Sequence, residues 1–347
     1  MPNAHPHEAV MSGHGFYNRH SVLQAAAAEL GLAALRSAAA VVPIPPPPQP
    51  LIVADYGCSQ GQNSLVPMGA AVAALRARTD LAVTVIHTDL PGNDFSAVFE
   101  VVAHDPSSYL TDGNAYALAA GRSFYDEVVP PGSVALGWSS ITTHWLSTTP
   151  MPVPGHLTAQ ASDDPAIRAA FADQAARDWD GFLTARAAEV AVGGRVVMVE
   201  PCAHPDGSLG SESVMALMDQ VLGELVADGR VTPEGAAAAT NPMWMRTPDE
   251  YGKSVDAHPG LELVELQVIE AAPSPIQDQF NADGDAAAYA DAMVASMRAW
   301  SESMLAEGID DPSALDAFYD RCRALGTEDP ERLHLRTFHI LLDIARV

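Results

Sequence analysis

Asp55-x-Gly57-x-x-x-Gly61-x-Asn63 stands directly after the strand-like run Leu51–Tyr56, and a second apolar run leads to Asp89. In an open α/β sheet, ligands bind beyond the carboxyl ends of the strands, where a glycine turn lets backbone come close. Gly57 and Gly61 supply that approach, Asp55 can take a cation or a hydroxyl, and Asn63 can hydrogen-bond a polar group. An acid at the end of the second strand is placed to accept from both hydroxyls of a ribose. The spacing departs from the Gly-x-Gly-x-x-Gly dinucleotide turn and holds no P-loop lysine. It suits a nucleoside with no pyrophosphate to cradle, of which S-adenosylmethionine is the common one. A tight strand-to-helix turn without a ligand is the plainer alternative, and Asp89 weighs against it.

Holding these residues calls for an alternating α/β order with a parallel sheet. Helix periodicity runs over 16–40, and the four consecutive prolines of 42–50 predict a stiff polyproline connector. Strand 51–56, a helix over 63–78 and strand 81–87 follow. Strands over 133–138 and 195–200 flank a crossover helix over 165–190. Val214, Leu217, Met218, Val221, Leu222 and Leu225 make 211–228 an amphipathic helix, with Gly229 as its C-terminal cap. A strand over 261–269, a helix over 286–307 and a closing strand over 333–347 complete the pattern. The long connections around 140–180 and 205–255 predict a helical cap. We therefore divide the chain into an N-terminal segment, 1–40, that closes over the site, and a core of 41–205 and 256–347 with a cap insertion around 140–180. The remaining part, 206–255, is a helical cap that contributes to the substrate pocket.

The 347 residues carry 44 acidic and 18 basic side chains, a formal charge of −26 that disfavours nucleic-acid or anionic-lipid partners. Solubility accounts for the acidity equally well. Cys58, Cys202 and Cys322 are widely spaced and suit neither a disulfide framework nor a zinc site, so no metal is expected and a reducing cytoplasm is. No apolar run reaches the ~20 residues of a membrane span. The polar start, with His5 and His7, reads as a loose tail rather than a signal peptide.

The glycine loop belongs to a longer pattern. Asp55-Tyr56-Gly57-Cys58-Ser59-Gln60-Gly61-Gln62-Asn63-Ser64-Leu65 resembles the cofactor loop of the plant carboxyl methyltransferases called SABATH. Further blocks resemble that family in order: Tyr17-x-x-x-Ser21-x-x-Gln24, Asp89-Leu90-Pro91-Gly92-Asn93-Asp94-Phe95, Gly121-x-Ser123-Phe124-Tyr125 and Ser139-Ser140-x-x-x-His144-Trp145-Leu146-Ser147. Weaker matches are Asn241-Pro242 and Thr247-Pro248-Asp249-Glu250. The chain is identified on these blocks as a divergent, bacterial-type member. The resemblance implies a class I methyltransferase: a Rossmann-like, mostly parallel seven-stranded sheet with an antiparallel last strand and an α-helical cap, in a homodimer using S-adenosylmethionine.

Carried over by resemblance, Asp55, Gly57, Cys58 and Asn63 line the methionine end of the cofactor, with Tyr17 and Ser21 alongside. Asp89 and Leu90 meet the ribose and adenine, and Ser123 and Phe124 close over the adenine. Gln24 and Trp145 hydrogen-bond a substrate carboxylate, and Tyr17, Ile141, His144, Val214, Met215 and Trp244 complete the acceptor pocket. The residue types agree with these roles. Tyr17, Ser21 and Gln24 share one helix face, the Gln24 amide can donate to a carboxylate, and the Trp145 indole N–H is a donor set in an apolar wall. The bland readings are a solvated stripe for the helix face and core packing for Trp145, Val214, Met215 and Trp244.

A carboxylic acid of pKa ~4 is ionised at neutral pH. It needs alignment and a dry site rather than a general base. The expected reaction is therefore methyl ester formation on a small, largely apolar acid. A purine-like ring nitrogen, or a phenol with His144 as base, is the alternative acceptor; a non-catalytic binding protein is the third reading. Two departures stand out. The N-terminal entry is shortened to Ser12-Gly13-His14-Gly15-Phe16-Tyr17, and Ile141 stands where the plant enzymes commonly carry Tyr.

Overall fold

The computed structural model describes residues 11–13, 15–204 and 206–347; the tail with His5 and His7 lies outside them. Seven strands form one sheet: β1 Leu51–Tyr56, β2 Val83–Asp89, β3 Ala115–Gly121, β4 Val134–Ser140, β5 Val190–Pro201, β6 Leu261–Glu270 and β7 Phe338–Arg346, in the order β3-β2-β1-β4-β5-β7-β6. The pairs among β1 to β5 are parallel, and β7 runs antiparallel to both β5 and β6. This is the expected mostly parallel class I sheet with an antiparallel last strand. β1, β2 and β4 are buried almost throughout, as strands covered on both faces must be. The chain winds outward from β1 to β3 and returns at β4, so the crevice between β1 and β4 is the topological switch point.

Three expected elements change. The 16–40 helix is three, Phe16–His20, Val22–Glu29 and Leu32–Ala39, broken at Ser21 and again at Leu30 and Gly31. Gly31 sits where a Cβ would lie 2.5 Å from Val199 Cγ2 and 2.7 Å from the Trp138 ring, so the break lets backbone lie directly on the sheet. The helix over 63–78 opens as a 3-10 turn, Gln62–Ser64, before Leu65–Arg76. The proline segment folds back through a turn, with Gln49 N donating to Pro46 O, rather than running as an extended spacer.

Strand β3 and the helices Phe95–His104, Pro248–Ala257, Pro275–Asp283 and Pro312–Glu328 join the expected elements. The last three start on proline, after Thr247, Ser274 and Asp311, whose side chains accept from the first turn. The Glu212–Ala227 helix buries the six expected apolar residues, each worth about 1.5–3 kcal/mol against exposure. Its partners are Ala286–Leu305 and Pro312–Glu328, which share one apolar cluster with it. The cap therefore draws on the stretch between β6 and β7 as well as on 206–255. Among the described residues, no helix is long and apolar enough to cross a membrane.

Candidate active site

The loops that follow β1 and β2 are fastened to each other. Gly57 N and Cys58 N both donate to Thr88 O at 2.9 Å. Ser59 N donates to Asp89 Oδ2 at 2.7 Å, Leu90 N to Asp89 Oδ1 at 2.8 Å, and Asn93 Nδ2 to Ser59 O at 2.6 Å. Gly57 adopts φ +87°, and a Cβ there would lie 2.2 Å from Thr142 Cγ2 in the loop after β4. Glycine is thus required twice at this position, by conformation and by space. Burial pushes the Asp89 carboxyl up to about 6, against the two backbone N–H bonds that hold it down. Burial, then Asp89, raises the Tyr17 phenol and the Cys58 thiol, which stay protonated.

Asp55 faces inward: its Oδ2 accepts from Ser64 Oγ at 2.5 Å and lies 2.9 Å from His87 Nδ1, whose Nε2 is 2.9 Å from the Tyr109 hydroxyl. It braces the loop from beneath. Asn63 Nδ2 donates to Ser21 Oγ at 3.0 Å. Asn18 adds a reciprocal clasp, donating to Gln60 O and accepting from Gln62 N. Ser123 Oγ accepts from Tyr125 N, and the Phe124 ring stands 3.7 Å from the space a Gly57 Cβ would take. Close backbone approach, an acid flanked by N–H groups and an aromatic face suit a nucleoside, and these residues fit S-adenosylmethionine.

The acceptor end is set by the turn after β4. Ile141 adopts φ +56°, a left-handed conformation that is costly for a β-branched residue and that clusters at functional sites. Buried Glu200 on β5 holds the turn, accepting from Thr142 N and Thr143 N at 2.9 Å each; burial pushes its carboxyl up to about 6. The turn presents His144 and Trp145, whose ring centroids are 4.8 Å apart.

A cavity of about 620 Å³ brings together Tyr17, Gln24, Ile141, His144, Trp145, Val214 and Met215. Trp244 is the exception: it lines a neighbouring cleft with His156 and Asp219. Its neighbours Met243 and Met245 line the cavity instead. The segment is extended, bridged to Trp145 at Met243, so successive side chains point to opposite sides. His339 and Trp300 also line the cavity and carried no sequence signal beyond their place in apolar elements.

Arg246 was likewise unforeseen. Its guanidinium is buried, donates to Thr143 O and Ala175 O, and lies 5.6 Å from the Tyr251 ring centroid. Burial first, then Arg246 and His339, pull the His144 imidazole down to about 3, so it is neutral.

The family model for S-adenosylmethionine dependent carboxyl methyltransferases matches residues 7–346. Gibberellic acid methyltransferase 2 of Arabidopsis thaliana is 25% identical over 252 residues, which cover 64% of this chain and 63% of that protein, so the match spans less than two thirds of its length. A methyltransferase of a Fusarium species is 27% identical over 311 residues, 84% of this chain and 81% of its own. The solved structure of loganic acid methyltransferase with SAH superposes with a TM-score of 0.82 at 21% identity, over 97% of this chain and 98% of that one, and shows the same fold. These sequence relatives are plant and fungal, which leaves the bacterial-type expectation without support. On the match that runs from residue 7 to residue 346, the chain belongs to the S-adenosylmethionine dependent carboxyl methyltransferase family.

Proposed function

We propose that this chain forms the methyl ester of a small, largely apolar carboxylic acid. The observation that carries the reading is the meeting of Gln24 and Trp145 on one mostly apolar cavity, reached from the same helical segment and the same β4 turn that border the nucleoside loops. When bound, S-adenosylmethionine supplies an electrophilic sulfonium methyl and leaves as a neutral thioether. Asp89, itself fixed by the N–H groups of Ser59 and Leu90, holds its ribose end; Gly57, Cys58 and Asn63 border its methionine end, with Asp55 bracing them, and Phe124 covers its base. Gln24 and Trp145 donate to the two carboxylate oxygens of the acid, fixing one lone pair toward the methyl. Apolar walls exclude water and leave the carboxylate reactive.

No proton needs to move, because the acid enters ionised. His144 supports this economy: an imidazole held at about 3 is too weak a base to deprotonate a phenol of pKa ~10. The N-terminal helices act as the cover of the site, and the enzyme works as a cytoplasmic homodimer.

A methyl-transfer screen over carboxylic acids, phenols and purines tests the acceptor, and calorimetry with S-adenosylhomocysteine tests the cofactor site. We expect acids alone to turn over, and Trp145→Ala to lower kcat/KM about 100-fold with S-adenosylhomocysteine binding retained. Unchanged turnover in that variant, or turnover of phenols with a rate that rises through a single titration, would overturn the assignment.

A further inference from the structure

We infer that the acid taken by this site carries, on its otherwise apolar body, one hydroxyl or carbonyl oxygen that is read by His144, His339 and Ser296. This rests on the carboxylate reading above. Nδ1 of His144, Nδ1 of His339 and Oγ of Ser296 have no hydrogen-bond partner, and the three residues are 4%, 5% and 1% exposed. Buried polar groups of native proteins are nearly always paired, and an orphan asks for an explanation. These three come from different elements, the turn after β4, strand β7 and the Ala286–Leu305 helix, yet all line the one cavity that holds Gln24 and Trp145. All three belong to residues that line the same cavity, where one ligand group gives them a common partner.

The chemistry of the wall narrows the group. Burial pulls His339 down to about 4 and His144 to about 3, and the two rings are close enough that a charge on His339 disfavours one on His144. Each neutral imidazole offers one donor and one acceptor nitrogen, and the serine hydroxyl offers both. That set matches a neutral oxygen. It does not match a second carboxylate, since none of the three groups is a cation and the Arg246 guanidinium does not line the cavity. Nor does it match an ammonium, which would need an anion among the three. Most of the remaining lining is apolar, with Met215, Met243, Met245, Met293, Met297 and Trp300 outweighing polar residues such as Ser274 and Gln277. A polyol would strand its other hydroxyls there.

The test uses the full chain with S-adenosylmethionine and matched acids: phenylpropanoic with 4-hydroxyphenylpropanoic acid, decanoic with 10-hydroxydecanoic acid, and cyclohexylacetic with 4-oxocyclohexylacetic acid. We expect the oxygenated member of at least one pair to lead by roughly 30-fold or more in kcat/KM, because a site built to hydrogen-bond a group rejects the analogue lacking it. His339→Leu should collapse that ratio to within about threefold, whereas a merely structural role would lower both members alike. Ser296→Ala gives the same readout should His339→Leu fail to fold. Parity in every pair that turns over, or equal losses in the variants, overturns the inference and leaves the carboxylate reading standing. If S-adenosylhomocysteine binds and no acid is methylated, the carboxylate reading itself falls and takes this one with it.

Discussion

At the cofactor end of the site the loops are cross-tied: Thr88 O takes two N–H groups, both Asp89 oxygens are bonded, and Asn63 and Asn18 tie the loop to the N-terminal helices, while Ser59 Oγ, Gln60 Oε1 and Thr88 Oγ1 stay without partners. The acceptor cavity differs in lacking such cross-ties. Its wall is built from methionines and tryptophans, and polar atoms of Gln24, His144, Ser296 and His339 are left without partners. The first region is built before its ligand arrives, as binding one invariant nucleoside favours. The second keeps adaptable thioether walls and unspent hydrogen-bonding capacity, which suits an enzyme whose relatives differ in the acid they take.

Several substitutions would break or sharpen this contrast. The largest effect is expected at Gly57, where alanine meets both a left-handed φ and the Thr142 side chain. Gly57→Ala should lower the unfolding free energy by about 2–4 kcal/mol in urea titration; an unmoved midpoint would mean the close approach is not needed. Next comes Asp89→Ala, for which we expect calorimetry to read an S-adenosylhomocysteine affinity weaker by about 100-fold, with the fold retained.

The acceptor side offers a pH test. His339 titrates near 4 when folded against 6.5 when free, so between pH 7 and pH 5 the unfolded chain takes up a proton that the folded chain refuses. Stability contributed by the neutral ring is therefore present above pH 6.5 and lost as pH falls. Over that range wild type should lose on the order of 2 kcal/mol relative to His339→Leu, and parallel pH profiles of the two would refute it.

Arg246→Met should reduce kcat/KM about tenfold, through the loosened Thr143 carbonyl, while S-adenosylhomocysteine binding stays within about twofold. A loss of cofactor affinity instead would show that the two regions are not separable. Smallest of all is Met245→Leu, a near volume-conserving change that should alter rates less than about threefold yet shift the ranking among apolar acids.

The same contrast governs what could be read from the sequence. Leu51–Tyr56, Gly57 and Asp89 were legible because a buried parallel strand, its glycine turn and an acid at the next strand end are local patterns. Strand β3 was not, since Ala115–Gly121 is an alanine-rich edge with alternating exposure and little β-branching. The breaks at Ser21 and Gly31 depend on what lies underneath, Asn63 in one case and Trp138 in the other. Trp244 faces the neighbouring cleft while Met243 and Met245 line the cavity, because the face of an extended segment that looks inward is set by its bridge to Trp145 and not by its own residue types. Proline after Thr247, Ser274 and Asp311 is a local helix-start signal that the sequence carries.

Ser21 stands at the joint between Phe16–His20 and Val22–Glu29, and Asn63 of the glycine loop donates to it. One turn further along the second of these helices is Gln24, on the wall of the acid cavity. On the proposed function, the side chain that donates to the acid is therefore mounted on the helix that Asn63 ties to the cofactor loop. Under that reading, occupancy of either site would bias the position of the same short helix and link the two ligands thermodynamically. Whatever factor S-adenosylmethionine contributes to the affinity for the acid, the acid must return to S-adenosylmethionine.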